Sequence, residues 1–212
     1  GTKGARHLIT FALVFGLGIT HHGSIALLAL PYAVFILASD PQLVRKPRVL
    51  LKPLLIFLLS LLVLLYLPLR SALGAPFDPQ PIRSWAGFLD HVLARGFRGD
   101  MFYFIQPRIL LARSRVLLNI LALEFGPVLL LLGALGAVSM LKRHGKLLLL
   151  CGGVFAVNAL TAITYRAPQT VEYMIPAYVA LAFICAYGAW SLAKFLGPYR
   201  LSSLVLAAAL LL

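Results

Sequence analysis

Two adjacent histidines, His21 and His22, interrupt the apolar stretch 8–38 and are its most reactive groups. Neighbouring residues of a regular helix point about 100° apart, so the two imidazoles cannot ligate one metal ion from such a helix. No cysteine or carboxylate follows at the spacing of a zinc site. The pair therefore either caps backbone groups at a helix break or contacts a polar or phosphate-bearing ligand.

Three further places hold ionisable groups in apolar surroundings. Arg70 ends an apolar run, where it either snorkels towards water or holds a phosphate with its planar guanidinium. Glu124 is an acid in a largely apolar stretch, where it either sits at the membrane interface or needs a partner. The short segment 166–172 begins with Arg166 and ends with Glu172, next to Tyr173, and forms either part of a site or a plain tight loop.

Aromatic side chains accompany these groups. Trp85 and the run Phe102-Tyr103-Phe104 could stack on a sugar ring, although aromatic belts at membrane interfaces give the same composition. Cys151 and Cys185 lie in separate apolar runs, which predicts reduced core residues and no disulfide. The residues thus offer cations and aromatic faces, with no evident pair of catalytic carboxylates.

The composition limits which elements can position these groups. Of the 212 residues 61% are hydrophobic and 12% are charged, and the mean hydropathy is +0.96. A soluble domain has about half apolar and about a quarter charged residues. A water-soluble globular enzyme is therefore excluded, and the sequence predicts an all-α polytopic transmembrane helix bundle.

The apolar runs predict the spans of one transmembrane region, 1–212. The stretch 8–38 would measure about 46 Å as one helix, too long for a hydrocarbon core of about 30 Å. We therefore predict two short paired helices, 8–19 and 25–38, with the histidines at their junction. The last run is too short to cross, so the chain is expected to be an internal piece of a longer protein. The predicted spans are 49–69, 116–141, 147–165 and 173–195, with an incomplete one at 201–212.

Basic residues orient the spans. They concentrate in the first six residues and in 40–52, 142–146 and 194–200. The positive-inside rule places all four segments in the cytoplasm only if 8–38 crosses and returns. The histidine pair, 70–115 and 166–172 then face outwards. The net charge of +13 mostly reflects this topology, and nucleic acid is not an expected partner.

The outer segment 70–115 is too long for a plain loop. Ser84 can cap a helix whose apolar residues recur from Trp85 at helical spacing. Such a helix suits the membrane interface. Pro107 can begin a further helix that follows the interface to Phe125, with a bend at Pro127.

Four strings follow one another along the chain: Gly16-Leu17-Gly18-Ile19-Thr20-His21-His22, Tyr66-Leu67-Pro68-Leu69-Arg70-Ser71, Trp85 through Phe88-Leu89 to His91-Val92, and Tyr165-Arg166-x-Pro168 through Glu172-Tyr173 to Pro176-Ala177. In this order they resemble a bacterial membrane family related to the animal protein O-mannosyltransferase that acts on plexin-type receptor domains. The family in turn resembles GT-C glycosyltransferases.

The resemblance implies a GT-C-like helical bundle in the bacterial inner membrane. It implies transfer of a sugar, with mannose as one candidate, from a polyprenyl-phosphate-linked donor to a protein or glycan acceptor at the extracytoplasmic face. No metal or organic cofactor is implied, and the catalytic acid is expected outside this chain. By this resemblance Arg70 and a histidine hold the donor phosphate. The residues implied to bind substrate are His21, His22, Arg70, Asp100, Tyr103, Arg166, Glu172 and Tyr173.

Two other functions are compatible with the sequence. A transporter half would use 8–38 as a broken helix lining a substrate path, and an assembly subunit would need no catalytic base. Transporters place polar groups near the middle of the bilayer, whereas here they gather towards one face. This distribution favours the enzyme.

Overall fold

Helices account for 86% of the residues, and no strand occurs in the part of the chain that the structure describes. This computed structural model describes residues 2–74, 76, 81–166 and 170–209. An entirely helical backbone is expected in a bilayer, where only internal hydrogen bonds can satisfy the N–H and C=O groups. The prediction of an all-α fold is confirmed.

Nine α-helices and four 3₁₀ segments follow one another along the described residues. The α-helices are α1 (Thr2–His21), α2 (Ala29–Ser39), α3 (Arg48–Ser60), α4 (Tyr66–Ala72), α5 (Trp85–Val92), α6 (Pro107–Arg143), α7 (Gly145–Thr164), α8 (Thr170–Tyr173) and α9 (Ile175–Ala209). The 3₁₀ segments are Gly23–Leu28, Pro41–Arg45, Leu61–Leu65 and Arg95–Phe97.

Four stretches of the described helices are long and apolar enough to cross a membrane, which indicates an integral membrane protein. A shorter apolar stretch, Gly23–Ser39, precedes them. The membrane helix bundle is thereby confirmed at this level, while the GT-C fold stays a prediction. The four stretches are Arg48–Ala72, Pro107–Arg143, Gly145–Thr164 and Ile175–Gly197.

The chain divides into two compact units, Gly1–Met101 and Phe102–Leu212. The single transmembrane region 1–212 stays a prediction. The boundary falls inside the predicted outer segment 70–115. Helix α6 begins at Pro107, ahead of the span predicted from residue 116. Of the predicted incomplete span, residues 210–212 lie outside the described part.

The first unit begins with a helical hairpin. Helix α1 ends at His21, and α2 runs back along it. The ring of Tyr32 packs on Phe11 and Phe15, with centroids 5.0 and 5.9 Å apart, and Gly18 lies against Ile25. Gly18 meets Ile25 near the turn, and Phe11, further back along α1, meets Tyr32 further along the chain, so the returning chain runs antiparallel to α1.

Helix α3 also packs on α1 and runs parallel to it, because α2 has returned the chain. Phe15 stacks on Phe57 at 6.2 Å, and a Cβ on Gly16 would lie 1.8 Å from Ser60 Oγ. Glycine at position 16 is thus what allows this close approach. The continuation of α3 through α4 reaches the same end of the unit as His22, and the turn Pro41–Arg45 lies at the other end.

The second unit is built on α6, α7 and α9. Helix α6 is kinked at Gly126, whose φ of 64° favours glycine, directly before Pro127. Contacts of Phe125 with Tyr178 and of Leu129 with Cys185 show that α6 and α9 run parallel. Helix α7 connects them by running in the opposite direction.

Glycines bring α6 and α9 into backbone contact. A Cβ on Gly136 would lie 2.0 Å from the carbonyl oxygen of Ile184, and one on Gly188 would lie 1.9 Å from that of Leu132. Small residues at a membrane helix interface allow such proximity and the dispersion contacts that come with it. This contact fixes how α9 lies against α6.

Replacing Gly136 by alanine is expected to lower the free energy of unfolding by about 1–3 kcal/mol, because the added methyl would overlap backbone atoms of α9. The matched control is Gly152→Ala in α7, where a Cβ meets nothing within 4 Å. That variant is expected to be neutral or slightly stabilising, since alanine is the better helix former. Thermal unfolding in detergent compares them, and equal midpoints would contradict the close α6–α9 contact.

Candidate functional site

His22 caps the 3₁₀ segment that turns the chain of the first unit. Its backbone is extended, and its Nδ1 accepts a hydrogen bond from the Ser24 backbone N–H at 3.4 Å and lies 2.6 Å from the Ser24 hydroxyl. His21 is exposed in the last turn of α1 and has no hydrogen bond within the described residues. Of the roles open to the histidines, the structure thus shows backbone capping by His22.

Arg70 lies in the last turn of α4, at the same end of the first unit as His22. Its side chain is exposed and makes no hydrogen bond, ion pair or ring contact within the ranges that the structure describes. The next residue anchors the chain, because Ser71 Oγ accepts a hydrogen bond from the Ile82 N–H at 2.6 Å. The guanidinium is therefore available beside a fixed backbone.

An open cavity of about 720 Å³ lies between α4 and α5. Ser84 caps α5 as predicted, accepting a hydrogen bond from the Gly87 N–H at 3.1 Å. On the apolar face of α5, Phe88 is buried, whereas Trp85, whose ring contacts that of Phe88, is 66% exposed. Pro68, Ser71, Arg83, Trp85 and Phe88 are among the lining residues, so the wall combines a cation, a hydroxyl and an aromatic face.

In the second unit, aromatic and arginine side chains meet where α7 ends. The Phe104 N–H donates to the carbonyl of Thr164 at 3.0 Å. Arg113 donates from Nε to the carbonyl of Ile163 and from a terminal nitrogen to Thr170 Oγ1 at 3.2 Å. Its guanidinium also lies 4.5 Å from the centre of the Phe104 ring. Arg113 thereby joins α6 to the end of α7 and the start of α8.

Three of the predicted site residues take part in this cluster. Arg166 lies over the ring of Tyr103 at 4.5 Å, and Tyr173 meets Tyr165 edge-on at 5.2 Å. Glu172 is exposed on α8 and has no ion pair within the described residues. Residues 167–169 of the predicted loop lie outside the described part, and the half-buried Asp100 belongs to the first unit.

Sequence reasoning missed the part that Arg113 plays. Its partners lie 50 and 57 residues away along the chain, and no local pattern encodes such a distance. The available signal was weak: an arginine one helical turn or two inside a long apolar helix needs a partner if it is half-buried. Arg113 is half-buried, and backbone and hydroxyl oxygens supply that partner.

Metal-ligating residues do not gather in the structure. The described residues contain no group of three or more histidine, cysteine or carboxylate side chains that could hold a metal ion. Cys151 and Cys185 are free and buried, and Cys185 Sγ donates to the carbonyl of Leu129 at 3.1 Å. Both cysteines thus belong to the helix packing.

Apolar crossing helices with polar clusters at their ends define a polytopic helical membrane protein. No protein-family model matches the chain, and no curated protein or solved structure is significantly similar to it. The family resemblance read from the sequence therefore stays a prediction.

His22→Ala is expected to lower the free energy of unfolding by about 1 kcal/mol, because it removes the side chain that caps the Ser24 N–H. His22→Asn keeps an acceptor at this position and is expected to retain most of the stability. His21→Ala is the control, since this exposed neighbour makes no such bond. Chemical unfolding in detergent measures all three, and equal losses at both positions would contradict the capping role.

Arg113→Met is expected to lower the free energy of unfolding by about 2 kcal/mol, because the Ile163 carbonyl and the Thr170 hydroxyl lose a charged donor. The matched control is Arg108→Met on the same helix, where the side chain is exposed and has no partner within the described residues. Hydrogen exchange at the Phe104 amide reports the local effect. Unchanged exchange in Arg113→Met would show that this arginine does not hold the cluster together.

Proposed function

We propose that this chain forms a membrane-embedded part of a GT-C-type glycosyltransferase. It moves a sugar, with mannose as a candidate, from a polyprenyl-phosphate donor to a protein or glycan acceptor at the extracytoplasmic face of the bacterial inner membrane. The observation that carries the proposal is the exposed guanidinium of Arg70, which lacks a protein partner within the described residues and ends a span beside the α4–α5 cavity.

Arg70 suits a lipid-linked phosphate both by its chemistry and by its position at the end of a span. A guanidinium offers planar paired donors that match two phosphate oxygens, and the end of a span is where lipid phosphates lie. In sugar transfer the phosphate is the leaving group, so its negative charge grows in the transition state. A fixed cation beside it stabilises that charge. His21, exposed at the same end of the unit, is available to assist, while His22 holds the turn beside it.

The α4–α5 cavity suits the sugar. Its volume of about 720 Å³ lies within the range of small-molecule sites. Trp85 offers a flat apolar face, while Arg83 and Ser71 lie in the same wall as polar groups. A pyranose ring needs this combination, because its faces carry C–H groups and its rim carries hydroxyls.

The second unit supplies the remaining residues of the proposal. Tyr103, Arg166, Glu172 and Tyr173 lie where α7 ends and α9 begins, and we assign them to substrate binding. For Asp100, which belongs to the first unit, we propose a contact with the acceptor or the sugar. We assign the catalytic acid to no described residue, since the resemblance implies that it lies elsewhere in the protein. This division leaves donor binding as the testable role of the chain.

Arg70→Ala is expected to reduce kcat/KM for the lipid-linked donor by about 10²-fold, since a charged donor to the leaving phosphate is lost. Arg70→Lys keeps the charge but lacks the planar guanidinium, and its kcat/KM is expected to lie between those of the unmodified protein and Arg70→Ala. The measurement follows radiolabelled sugar from polyprenyl-phosphate donors into membrane protein and glycan, using native membranes that hold the full protein.

The matched control is Arg45→Ala, which removes the same charge from the opposite end of the first unit. Equal transfer by Arg70→Ala and Arg45→Ala at equal protein levels would contradict the phosphate role. Absence of transfer from every donor with the unmodified protein would contradict the enzyme. Uptake of a solute by vesicles containing the protein would then favour the transporter.

A further inference from the structure

A cluster of basic side chains lies at the α6–α7 turn, at the opposite end of the second unit from the Arg113 cluster. Four of these side chains come from the five residues 142–146, and all four are exposed. Lys194 joins them from α9. The four are Lys142, Arg143, His144 and Lys146.

A row of rings connects Lys194 to this turn. The His144 ring meets Tyr187 edge-on at 5.8 Å, and Tyr187 packs on Trp190 at 5.2 Å. Lys194 Nζ lies 5.4 Å from the centre of the Trp190 ring, within the range of a cation–π contact. The cations of the turn and of α9 therefore share one surface, which we call the basic patch: Lys142, Arg143, His144, Lys146, Trp190 and Lys194.

The described residues of the second unit provide the patch with no counter-charge. The second unit contains two acids, Glu124 and Glu172. Glu124 precedes Lys142 by about five helical turns, and Glu172 lies beyond the far end of α7. None of the patch cations has an ion pair within the described residues. The hydroxyl oxygen of Tyr187, in the row of rings, is buried and also has no hydrogen-bond partner within the described residues.

Apolar side chains border the cations. Leu141 is 68% and Phe195 is 84% exposed, and the Trp190 face is half-exposed. Each lies one residue or one helical turn from a cation, on helices that are long enough to cross a membrane. A molecule that covers this surface must therefore present a negative group to the cations and an acyl chain to their apolar neighbours.

We propose that the basic patch binds the headgroup of an anionic phospholipid from the adjacent leaflet. The phosphate sits among Arg143, Lys146 and Lys194, and the acyl chains lie along Leu141 and Phe195. Basic pockets between membrane helices are suited to such headgroups. Nucleic acid and soluble phosphate lack the acyl chain that the bordering surface fits. This inference is independent of the proposed sugar transfer.

The two tryptophans of the chain make a direct test possible. In a Trp85→Phe protein, Trp190 is the one remaining tryptophan and reports from inside the patch. The protein is reconstituted in phosphatidylcholine vesicles that contain brominated phosphatidylglycerol or, at the same fraction, brominated phosphatidylcholine. We expect brominated phosphatidylglycerol to quench Trp190 with an apparent affinity at least about fivefold higher than that of brominated phosphatidylcholine.

Substitutions distinguish a built site from general surface charge. Arg143→Gln with Lys194→Gln is expected to abolish most of this preference. The matched control, Arg45→Gln with Arg48→Gln, removes the same charge from the first unit and is expected to leave the preference unchanged. Each preference is a ratio measured within one variant, so altered emission of Trp190 itself cancels.

Three results would overturn the inference. The first is equal quenching by the two brominated lipids, and the second is an equal loss of preference in both charge-neutralised variants. The third is displacement of phosphatidylglycerol by inorganic phosphate at matched ionic strength, which would identify a site for the free anion. Retained preference in the presence of phosphate supports the lipid.

Discussion

The reversal of the chain at His22 determines where the ionisable groups of the first unit lie. A helix that ends in a bilayer must satisfy its free backbone groups, and His22 does so by accepting the Ser24 N–H. Gly16 lets Ser60 of α3 approach the backbone of α1, and Gly18 lies in ordinary contact with Ile25 of the 3₁₀ turn. Because α2 has carried the chain back, α3 runs parallel to α1, and Arg70 reaches the end of the unit that holds the histidines.

The same requirement explains the second unit. Carbonyl groups at the end of α7 have no partner within their helix, and Arg113 and the Phe104 N–H supply donors to two of them. About two turns before its end, α6 meets α9 through Gly136 and Gly188, without space for side chains. The contacts of Arg113 and Phe104 lie at the end of α7, while the close contact of Gly136 with Gly188 packs the interior of the unit.

Local features of the sequence predicted much of this structure. Apolar runs gave the crossing helices, the polar interruption at His21 and His22 gave the break, and Ser84 gave the start of α5. The predicted bend at Pro127 lies next to the observed kink at Gly126. The contacts of Arg113 and the row from His144 to Lys194 could not be predicted, because they join residues 50 or so apart through tertiary packing. The substrate assignments likewise rest on chemistry that helix periodicity does not encode.

In the proposed topology the histidine turn and Arg70 lie at one membrane face and the turn Pro41–Arg45 lies at the other. Single cysteines at His21, Arg70 and Lys46, in a protein lacking Cys151 and Cys185, can be treated with a membrane-impermeant maleimide in intact cells. We predict labelling at positions 21 and 70 from outside, and at position 46 only after permeabilisation. Labelling of positions 21 and 46 from the same side would contradict the hairpin and the site built on it.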